Sequence, residues 1–323
     1  MTSSPVSTVL MKTKAVLFDM DGTLIDSSPA VTAAWNLLKS TGYDFLDLDD
    51  ILRSAHGYRT IDALRKWCKI TDEEKLKSEV VRFEEAILAN ASKPGGGIIA
   101  LPGVKKLLDG IQGGRPDEDQ GWSVCTSYID GVIATTFYAS KALPAAGLRI
   151  PNHFVTAESV KQGKPAPDPY LLGAKLNEIA PSDCAVFHPT PSKFADIEPI
   201  TGIVVEDAPT GIRSGKAAGC FVLATCTSHT RESLEKEHPH FLVEDLSHVR
   251  PHRNEDGSIS LFITQPPGRE YPDSAIPTPE DTPLHTPTLS REPSQTDVHM
   301  DKGSLPDHAV YTMARVAGES IIQ

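Results

Sequence analysis

The feature that most constrains the fold is a short apolar run near the start of the chain that ends in two acids. Residues 15–18 are all apolar, too few for a helix, and Asp19, Asp21 and Gly22 follow at once. This pattern predicts a buried strand that delivers two carboxylates to a glycine turn. Because carboxylates held close together repel each other unless a cation lies between them, the pattern indicates bound Mg²⁺. A strand that ends in an ordinary polar turn is the alternative.

A second apolar run, residues 203–205, also ends in two acids, Glu206 and Asp207, and a helix rich in small residues follows it. One acid at the start of a helix is explained by the helix dipole and by capping. Capping accounts for one carboxylate of the pair but not for the repetition of the pattern. The repetition therefore favours a site built from both runs.

Two further segments carry polar side chains suited to binding an anion. The second predicted strand ends in the hydroxyls of Thr126 and Ser127, and a threonine there either caps the next helix or donates to a phosphate oxygen. Lys164 lies in a loop between Gly163 and Pro165. A lysine in such a loop is usually solvated, but the restricted backbone favours an ammonium held in one direction.

Apolar runs of strand length alternate with helical patterns along most of the chain, which predicts an α/β fold with a parallel sheet. In such sheets the site lies at the carboxyl ends of the strands, where the acids, the hydroxyls and the lysine fall. Residues 31–98 show only helical spacing, which predicts an all-helical domain inserted after the first strand. From residue 265 onward, nine of the chain's 26 prolines fall in 59 residues, which predicts a mostly disordered tail.

The predicted organisation is a Rossmann-like parallel sheet core with an inserted all-helical domain and a disordered C-terminal tail. Residues 1–13 form an N-terminal arm, residues 14–30 and 99–264 the core domain, residues 31–98 the helical domain and residues 265–323 the tail. The core domain is long enough to bury a substantial hydrophobic interior.

The charge of the chain argues against nucleic acid as its partner. Acidic residues outnumber basic ones by 43 to 31, giving a formal net charge of −12, whereas nucleic-acid binding depends on Lys and Arg that neutralise phosphates. A small phosphorylated metabolite needs only a few local cations and is compatible with this charge. Five cysteines without C-x-x-C spacing indicate reduced thiols, and no segment resembles a secretory or membrane-spanning sequence. We therefore expect a cytoplasmic monomer with no nucleic-acid or membrane partner.

Four stretches of the chain, taken in order, resemble the four motifs of the haloacid dehalogenase-like phosphohydrolases. They are residues 18–24 (FDMDGTL), 124–127 (VCTS), 161–165 (KQGKP) and 205–211 (VEDAPTG). The helical insertion is similar to the cap domain of that family. Residues 55–60 (AHGYRT) are also similar to a run in fungal glycerol-3-phosphatases and 2-deoxyglucose-6-phosphate phosphatases, and the resemblance extends over residues 12–264.

This resemblance implies a Mg²⁺-dependent phosphomonoester hydrolase that acts on a small polyol phosphate or sugar phosphate. In the family's mechanism, Asp19 would attack phosphorus to form an aspartyl-phosphate, and Asp21 would protonate the leaving alcohol and later activate water. Mg²⁺ would be held by the Asp19 carboxylate, the Asp21 carbonyl and Asp207, with Glu206 assisting.

Phosphate binding falls, by the same resemblance, to Thr126, Ser127 and Lys164, and Lys164 would also reduce the repulsion between the nucleophile and the phosphate. His56 and Arg59, in the cap, are the candidates for substrate specificity. On the sequence pattern alone, the segment that carries them also fits a plain corner between two helices.

Two alternatives to the hydrolase stay open at this point. A sugar phosphomutase of the beta-phosphoglucomutase type would use the same residues around the phosphate, and a non-catalytic pseudophosphatase scaffold would act through the tail. The chain also carries Tyr128, Ile129 and Asp130 where the fungal phosphatases tend to have Gly-Thr-Arg. This change leaves the identity of the polyol or sugar phosphate open.

Overall fold

A six-stranded parallel sheet lies at the centre of the computed structural model, which describes residues 7–54, 60–91, 97–115, 121–126, 136–179 and 202–265. Its strands are β2 (Val16–Phe18), β5 (Trp122–Cys125), β6 (Phe154–Val155), β7 (Ile203–Glu206), β8 (Phe221–Thr225) and β9 (Phe241–Val243). Their order is β6-β5-β2-β7-β8-β9, and every neighbouring pair is parallel.

The sheet has a hydrophobic core on each face, which explains why its strands are apolar throughout. Val16 and Phe18 of β2 pack into one cluster of buried side chains, whereas Leu17 packs into a second cluster on the opposite face. Parallel strands that are covered on both faces have this uninterrupted apolar sequence. The predicted α/β fold with a parallel sheet is confirmed.

The predicted helical insertion contains four consecutive helices within its described residues. They are α1 (Ser28–Ser40), α2 (Leu48–Ser54), α3 (Thr60–Trp67) and α4 (Glu73–Asn90). α1 and α4 pack together through Trp35 and Phe83, whose ring centroids lie 4.7 Å apart. Asp72 caps α4, because its carboxylate accepts a hydrogen bond of 2.7 Å from the Lys75 amide.

A two-stranded antiparallel pair joins the two ends of this insertion. β3 (Ile25–Asp26) precedes α1 and pairs with β4 (Ile99–Ala100), which follows α4. The chain therefore leaves and re-enters the sheet region at one place, as an inserted domain does. The domain boundaries given above stay predictions.

Within the described residues, five further α-helices alternate with the strands of the sheet. They are α5 (Val104–Gln112), α6 (Thr136–Ala145), α7 (Asp168–Leu176), α8 (Pro209–Ala217) and α9 (Arg231–Glu235). α8 packs closely on the sheet, since a Cβ at Gly215 would lie only 2.9 Å from Val222 Cγ2 and 3.0 Å from Val204 Cγ1. This contact explains the small residues that follow the second acid pair. The sequence pattern does not predict α6.

A second sheet, three-stranded and antiparallel, contains the first described strand of the chain. β1 (Ser7–Thr13) pairs with β11 (Ile259–Gln265), which also pairs with β10 (Val249–Arg253). Residues 254–257 form the turn between β10 and β11, with Gly257 at a φ of +84°. The sequence predicts an arm over residues 1–13, whereas residues 7–13 form a strand. Local sequence misses this strand because its partner lies at the other end of the described chain.

Two predictions concern segments at the margins of this fold. Among the described residues, no helix combines the length and the apolar character needed to cross a membrane. The predicted tail, residues 265–323, lies outside the described residues apart from Gln265, which ends β11.

Candidate active site

The acids of the two apolar runs meet at the carboxyl ends of neighbouring strands. Asp19 follows β2 and Glu206 ends β7, and the Asp19 amide donates a hydrogen bond of 3.0 Å to the Val205 carbonyl. Asp19, Glu206 and Asp207 are all buried, and one carboxylate oxygen from each lies within 4.8 Å of the others. The pairing of β2 with β7 therefore brings Asp19 next to Glu206 and Asp207, which are far from it in the sequence. These three acids are here called the acid cluster.

Lys164 enters the acid cluster from the loop before α7. Its ammonium donates a hydrogen bond to Asp19 Oδ1 and lies 2.6 Å from Glu206 Oε1, and the residue is only 5% exposed. One cation thus bridges an acid from each of the two strands. The sequence predicts an ammonium held in one direction, and the structure brings it onto the predicted nucleophile.

Burial and mutual repulsion determine the charges in the acid cluster. Burial raises the pKa of Asp19 well above its usual value; Glu206 and Asp207 act in the same direction, and Lys164 opposes them. Burial lowers the pKa of Lys164, but the attraction of Asp19 and Glu206 outweighs burial, so that pKa lies above its usual value. The lysine is therefore charged at neutral pH. The ammonium contacts Asp19 and Glu206 beside a third buried acid, Asp207, so the cluster can accept more positive charge.

Hydroxyl groups hold Glu206, which ends β7, and Asp207, which follows it. Tyr170 of α7 donates a hydrogen bond of 2.5 Å to Glu206 Oε1. Thr23 donates a bond of 2.6 Å to Asp207 Oδ1, and Ser228 donates to Asp207 Oδ2. Bonds of this kind fix the direction of a carboxylate that is to bind a cation.

Two glycines leave the space that these carboxylates occupy. A Cβ at Gly22 would collide with Asp207 Oδ2, and Gly22 also has a φ of +84°. A Cβ at Gly211 would collide with the Glu206 carboxyl group. Glycine is therefore needed at both positions, since any side chain would push an acid out of the cluster.

The acid cluster fits a divalent cation of the Mg²⁺ type. Its donor atoms are carboxylate oxygens, the hard ligands that Mg²⁺ prefers, and they lie close enough to share one ion. Of the residues that the sequence analysis assigns to the metal, Asp19, Glu206 and Asp207 lie together. Asp21, whose carbonyl is the expected ligand, does not contribute its carboxylate to this group.

Two hydroxyl groups hold the Asp21 carboxylate. Its Oδ1 accepts a hydrogen bond of 2.6 Å from Ser27 Oγ and one of 3.1 Å from the Tyr138 hydroxyl of α6. The run Ser-Ser-Pro at residues 27–29 is typical of a helix start and offers Ser27 or Ser28 as the N-cap of α1. Ser27 does occupy the N-cap position, but its side chain makes no cap hydrogen bond. Its hydroxyl orients Asp21 instead.

Of the predicted phosphate-binding residues, Thr126 and Lys164 are described, whereas Ser127 lies outside the described residues. Thr126 follows β5, which pairs with β2, so it lies at the same edge of the sheet as Asp19. Its hydroxyl oxygen is buried and has no hydrogen-bond partner in the part of the chain that the structure describes. Such a hydroxyl suits a ligand oxygen. His56 and Arg59 also lie outside the described residues.

Sequence reasoning misses the hydroxyl groups that orient the acids. Ser228 follows β8 at the same edge of the sheet, so its position after a parallel strand is a usable indication of a site residue. Thr23 lies within the first motif, next to the acids. Tyr138 and Tyr170 lie inside helices, where nothing in the local sequence shows that their hydroxyls meet acids from other elements.

Comparison with known proteins identifies the family of this chain. The haloacid dehalogenase-like hydrolase family matches residues 13–187. Glycerol-1-phosphate phosphohydrolase 2 of Saccharomyces cerevisiae is 34% identical over 262 residues, which cover 77% of this chain and 88% of that protein. Hexitol phosphatase A of Escherichia coli is 40% identical over 216 residues, covering 66% and 83%. The 2-deoxyglucose-6-phosphate phosphatase 1 of Saccharomyces cerevisiae is 26% identical over 255 residues, covering 77% and 95%.

Solved structures agree with the fold. A haloacid dehalogenase-type hydrolase of family IA from Entamoeba histolytica matches with a TM-score of 0.55 at 20% identity, over 72% of this chain and 93% of that one. The family match spans more than half of the sequence and contains the first three of the four motif stretches. The resemblance noted in the sequence is confirmed. The chain belongs to the haloacid dehalogenase-like hydrolases.

Proposed function

We propose that this protein is a Mg²⁺-dependent phosphatase that hydrolyses the phosphomonoester of a small polyol or sugar through an aspartyl-phosphate on Asp19. The named relatives are phosphatases of glycerol 1-phosphate, of hexitols and of 2-deoxyglucose 6-phosphate. The observation that carries the proposal is the hydrogen bond from the buried Lys164 ammonium to Asp19 inside the acid cluster.

A structural ion pair explains this arrangement less well than a reaction site does. One lysine with one acid would form a closed pair, but here one ammonium contacts two buried carboxyl groups, and the carboxyl group of a third buried acid, Asp207, lies close to both. Excess buried negative charge lowers stability unless a further cation is bound. Perturbed and crowded titratable groups of this kind cluster at functional sites.

Asp19 acts as the nucleophile in the first step. A carboxylate oxygen of Asp19 forms a bond to phosphorus while the bond from phosphorus to the alcohol oxygen breaks. The leaving oxygen keeps the bonding electrons and takes the proton of the Asp21 carboxyl group. Lys164, Thr126 and Ser127 bind the phosphoryl oxygens, which reduces their repulsion from the attacking carboxylate.

Water completes the reaction in the second step. The Asp21 carboxylate takes a proton from a water molecule as the water oxygen bonds to phosphorus and the bond to Asp19 breaks. Inorganic phosphate leaves, and both acids return to their starting states. Asp19, Glu206, Asp207 and the Asp21 carbonyl would hold Mg²⁺, which would supply positive charge to offset the charge of the transferring group.

The helical insertion supplies the specificity in this proposal. Residues 31–98 form a cap that closes over the bound substrate and excludes water. His56 and Arg59 lie in the segment that resembles the fungal phosphatases, and they contact the polyol or sugar part of the substrate. Both side chains can bind hydroxyl groups as hydrogen-bond donors.

The same proposal assigns the protein to the cytoplasm as a monomer, with neither nucleic acid nor a membrane as its partner. Its net charge of −12 and its five cysteines without C-x-x-C spacing support this assignment. Light scattering of the purified protein tests the monomer, and a mass of twice the chain would refute it.

A substrate panel tests the function. The full-length protein is assayed with Mg²⁺ on glycerol 1-phosphate, a hexitol phosphate and 2-deoxyglucose 6-phosphate, with Asp19→Asn as the inactive control. We expect inorganic phosphate from at least one substrate with the wild type and none with the variant. An isomerised sugar phosphate without free phosphate would indicate a phosphomutase. No reaction on any phosphomonoester would refute the enzyme and favour the scaffold.

A further inference from the structure

Tyr138 is a buried residue that touches a reacting acid and has no part in the mechanism above. It lies in α6, is 0% exposed, and donates a hydrogen bond of 3.1 Å to Asp21 Oδ1. A buried hydroxyl that bonds to a carboxyl group of the site fixes that group more tightly than a solvated partner would. This contact links α6, a helix that the sequence pattern does not predict, with Asp21, the proposed general acid.

The hydroxyls on Asp21 Oδ1 determine which oxygen of this carboxyl group carries a proton. Ser27 donates to Oδ1 at 2.6 Å, and Tyr138 donates to the same atom. A carboxylate oxygen has two lone-pair positions, so two hydroxyl donors fill Oδ1. A proton on the same carboxyl group is then carried by Oδ2. The two donors therefore fix the direction in which Asp21 gives and takes its proton.

Tyr138 meets Asp21 as a neutral phenol, the form in which its hydroxyl donates the hydrogen bond of 3.1 Å to Oδ1. Burial raises the pKa of Tyr138 well above its usual value, the charge of Asp21 acts in the same direction, and a hydrogen bond with Ser27 opposes them. Glu84, a buried acid of α4, adds to this effect, and α6 packs against α4. A phenol in this setting orients Asp21 without competing for its proton.

Given the proposed function, we infer that Tyr138 is a positioning residue whose hydroxyl orients Asp21 so that the Oδ2 proton is directed at the leaving oxygen of the substrate. When the bond from phosphorus to that oxygen breaks, the oxygen keeps the electron pair and takes the Asp21 proton. The Asp21 carboxylate left behind is stabilised by charge-assisted bonds from Tyr138 and Ser27. A leaving alkoxide needs this proton, whereas a nitrophenolate is stable without it.

The leaving-group dependence of Tyr138→Phe tests this role. The full-length protein is assayed with Mg²⁺ on glycerol 1-phosphate, or the best polyol or sugar phosphate of the panel, and on 4-nitrophenyl phosphate. The ratio kcat/KM contains only the steps up to release of the leaving group, so hydrolysis of the phosphorylated enzyme does not enter. We expect kcat/KM to fall about 30-fold on the polyol phosphate and less than about 3-fold on the aryl phosphate, with KM little changed.

Tyr43→Phe is the matched control for this variant. It removes the same atom from another buried tyrosine, 6% exposed, whose ring lies 6.1 Å from Phe45 in the helical insertion. We expect kcat/KM to stay within about twofold of the wild type on both substrates. In an Asp21→Asn background, adding Tyr138→Phe is expected to change kcat/KM on the polyol phosphate by less than about 3-fold.

The outcomes separate this inference from the function on which it rests. A wild type that hydrolyses neither substrate refutes the proposed function. An active wild type with equal losses on both substrates in Tyr138→Phe, or an undiminished loss in the Asp21→Asn background, overturns the role of Tyr138. If Tyr138→Phe does not fold, Ser27→Ala decides, because it removes the other donor from Oδ1: a selective loss supports directed proton transfer and an equal loss overturns it.

Discussion

Asp19 and Asp21 are two residues apart, yet the folded chain gives their carboxyl groups different surroundings. Asp19 contacts a buried ammonium, that of Lys164, and shares its site with two further acids. Asp21 is held through Oδ1 by the hydroxyls of Ser27 and Tyr138. The Lys164 ammonium opposes the burial that raises the pKa of Asp19 and so favours the carboxylate that attacks phosphorus, whereas the donors on Asp21 are neutral hydroxyls. Partners from distant elements, more than position in the motif, therefore separate the roles of the two acids.

The largest expected loss of activity comes from replacing Asp19, the acid that contacts Lys164. Asp19→Asn should lower kcat/KM at least about 10⁴-fold on every phosphomonoester, because an amide does not attack phosphorus. Asp26→Asn is the matched control, since the Asp26 carboxylate accepts a hydrogen bond of 2.9 Å from the Ser28 amide, and the side-chain oxygen of asparagine can accept the same bond. Phosphate release measures both variants. Appreciable activity in Asp19→Asn would remove the distinction between the two acids.

The second-largest loss of activity is expected from replacing Asp21, whose carboxylate accepts hydrogen bonds from two hydroxyls. Asp21→Asn should lower kcat/KM about 10² to 10⁴-fold on polyol and sugar phosphates, the usual contribution of general acid catalysis. The loss should be much smaller on 4-nitrophenyl phosphate, whereas Asp19→Asn should be inactive on both. A uniform loss in Asp21→Asn would mean that the two acids do not differ in role.

The third effect is on folding stability and follows from replacing Lys164, the cation that contacts Asp19. Lys164→Met keeps the length of the side chain but leaves Asp19 and Glu206 without their buried partner, which should lower the free energy of unfolding by about 3–5 kcal/mol. Lys161→Met, in the exposed part of the same loop, is the control and should have little effect. Urea denaturation measures both. Equal stability of the two variants would show that Lys164 is not needed to hold the acid cluster.

The smallest expected effect is on the Mg²⁺ requirement and follows from adding a side chain next to Asp207. In Gly22→Ala the new Cβ would displace Asp207, so the Mg²⁺ concentration for half-maximal activity should rise about tenfold, since misplaced ligands weaken metal binding. Gly42→Ala is the control, because Gly42 also has a positive φ, +129°, but a Cβ there meets no atom within 4 Å. A chelator titration followed by added Mg²⁺ gives both values. An unchanged Mg²⁺ requirement in Gly22→Ala would exclude Asp207 as a ligand.

The sequence predicts those site residues whose role can be recognised from their immediate neighbours in the chain. Asp19 and Glu206 lie next to the apolar runs that form β2 and β7, so both the strand and its acid are visible in a few residues. Lys164 is visible through its glycine and proline neighbours. Tyr138 is not, because its hydroxyl meets Asp21 only after α6 has packed against the rest of the fold. The same reason hides β1, whose hydrogen bonds are to β11.

The most direct test is whether Asp19 carries the phosphoryl group during turnover. The protein is mixed with Mg²⁺ and excess of its best substrate, quenched in acid and treated with borohydride, which reduces an acyl phosphate to an alcohol. Peptide mass spectrometry then locates the reduced acid. We predict homoserine at position 19 in the wild type and none in Asp19→Asn. Homoserine at another acid, or steady release of phosphate with no reduced acid, would contradict the assignment of Asp19 as the nucleophile.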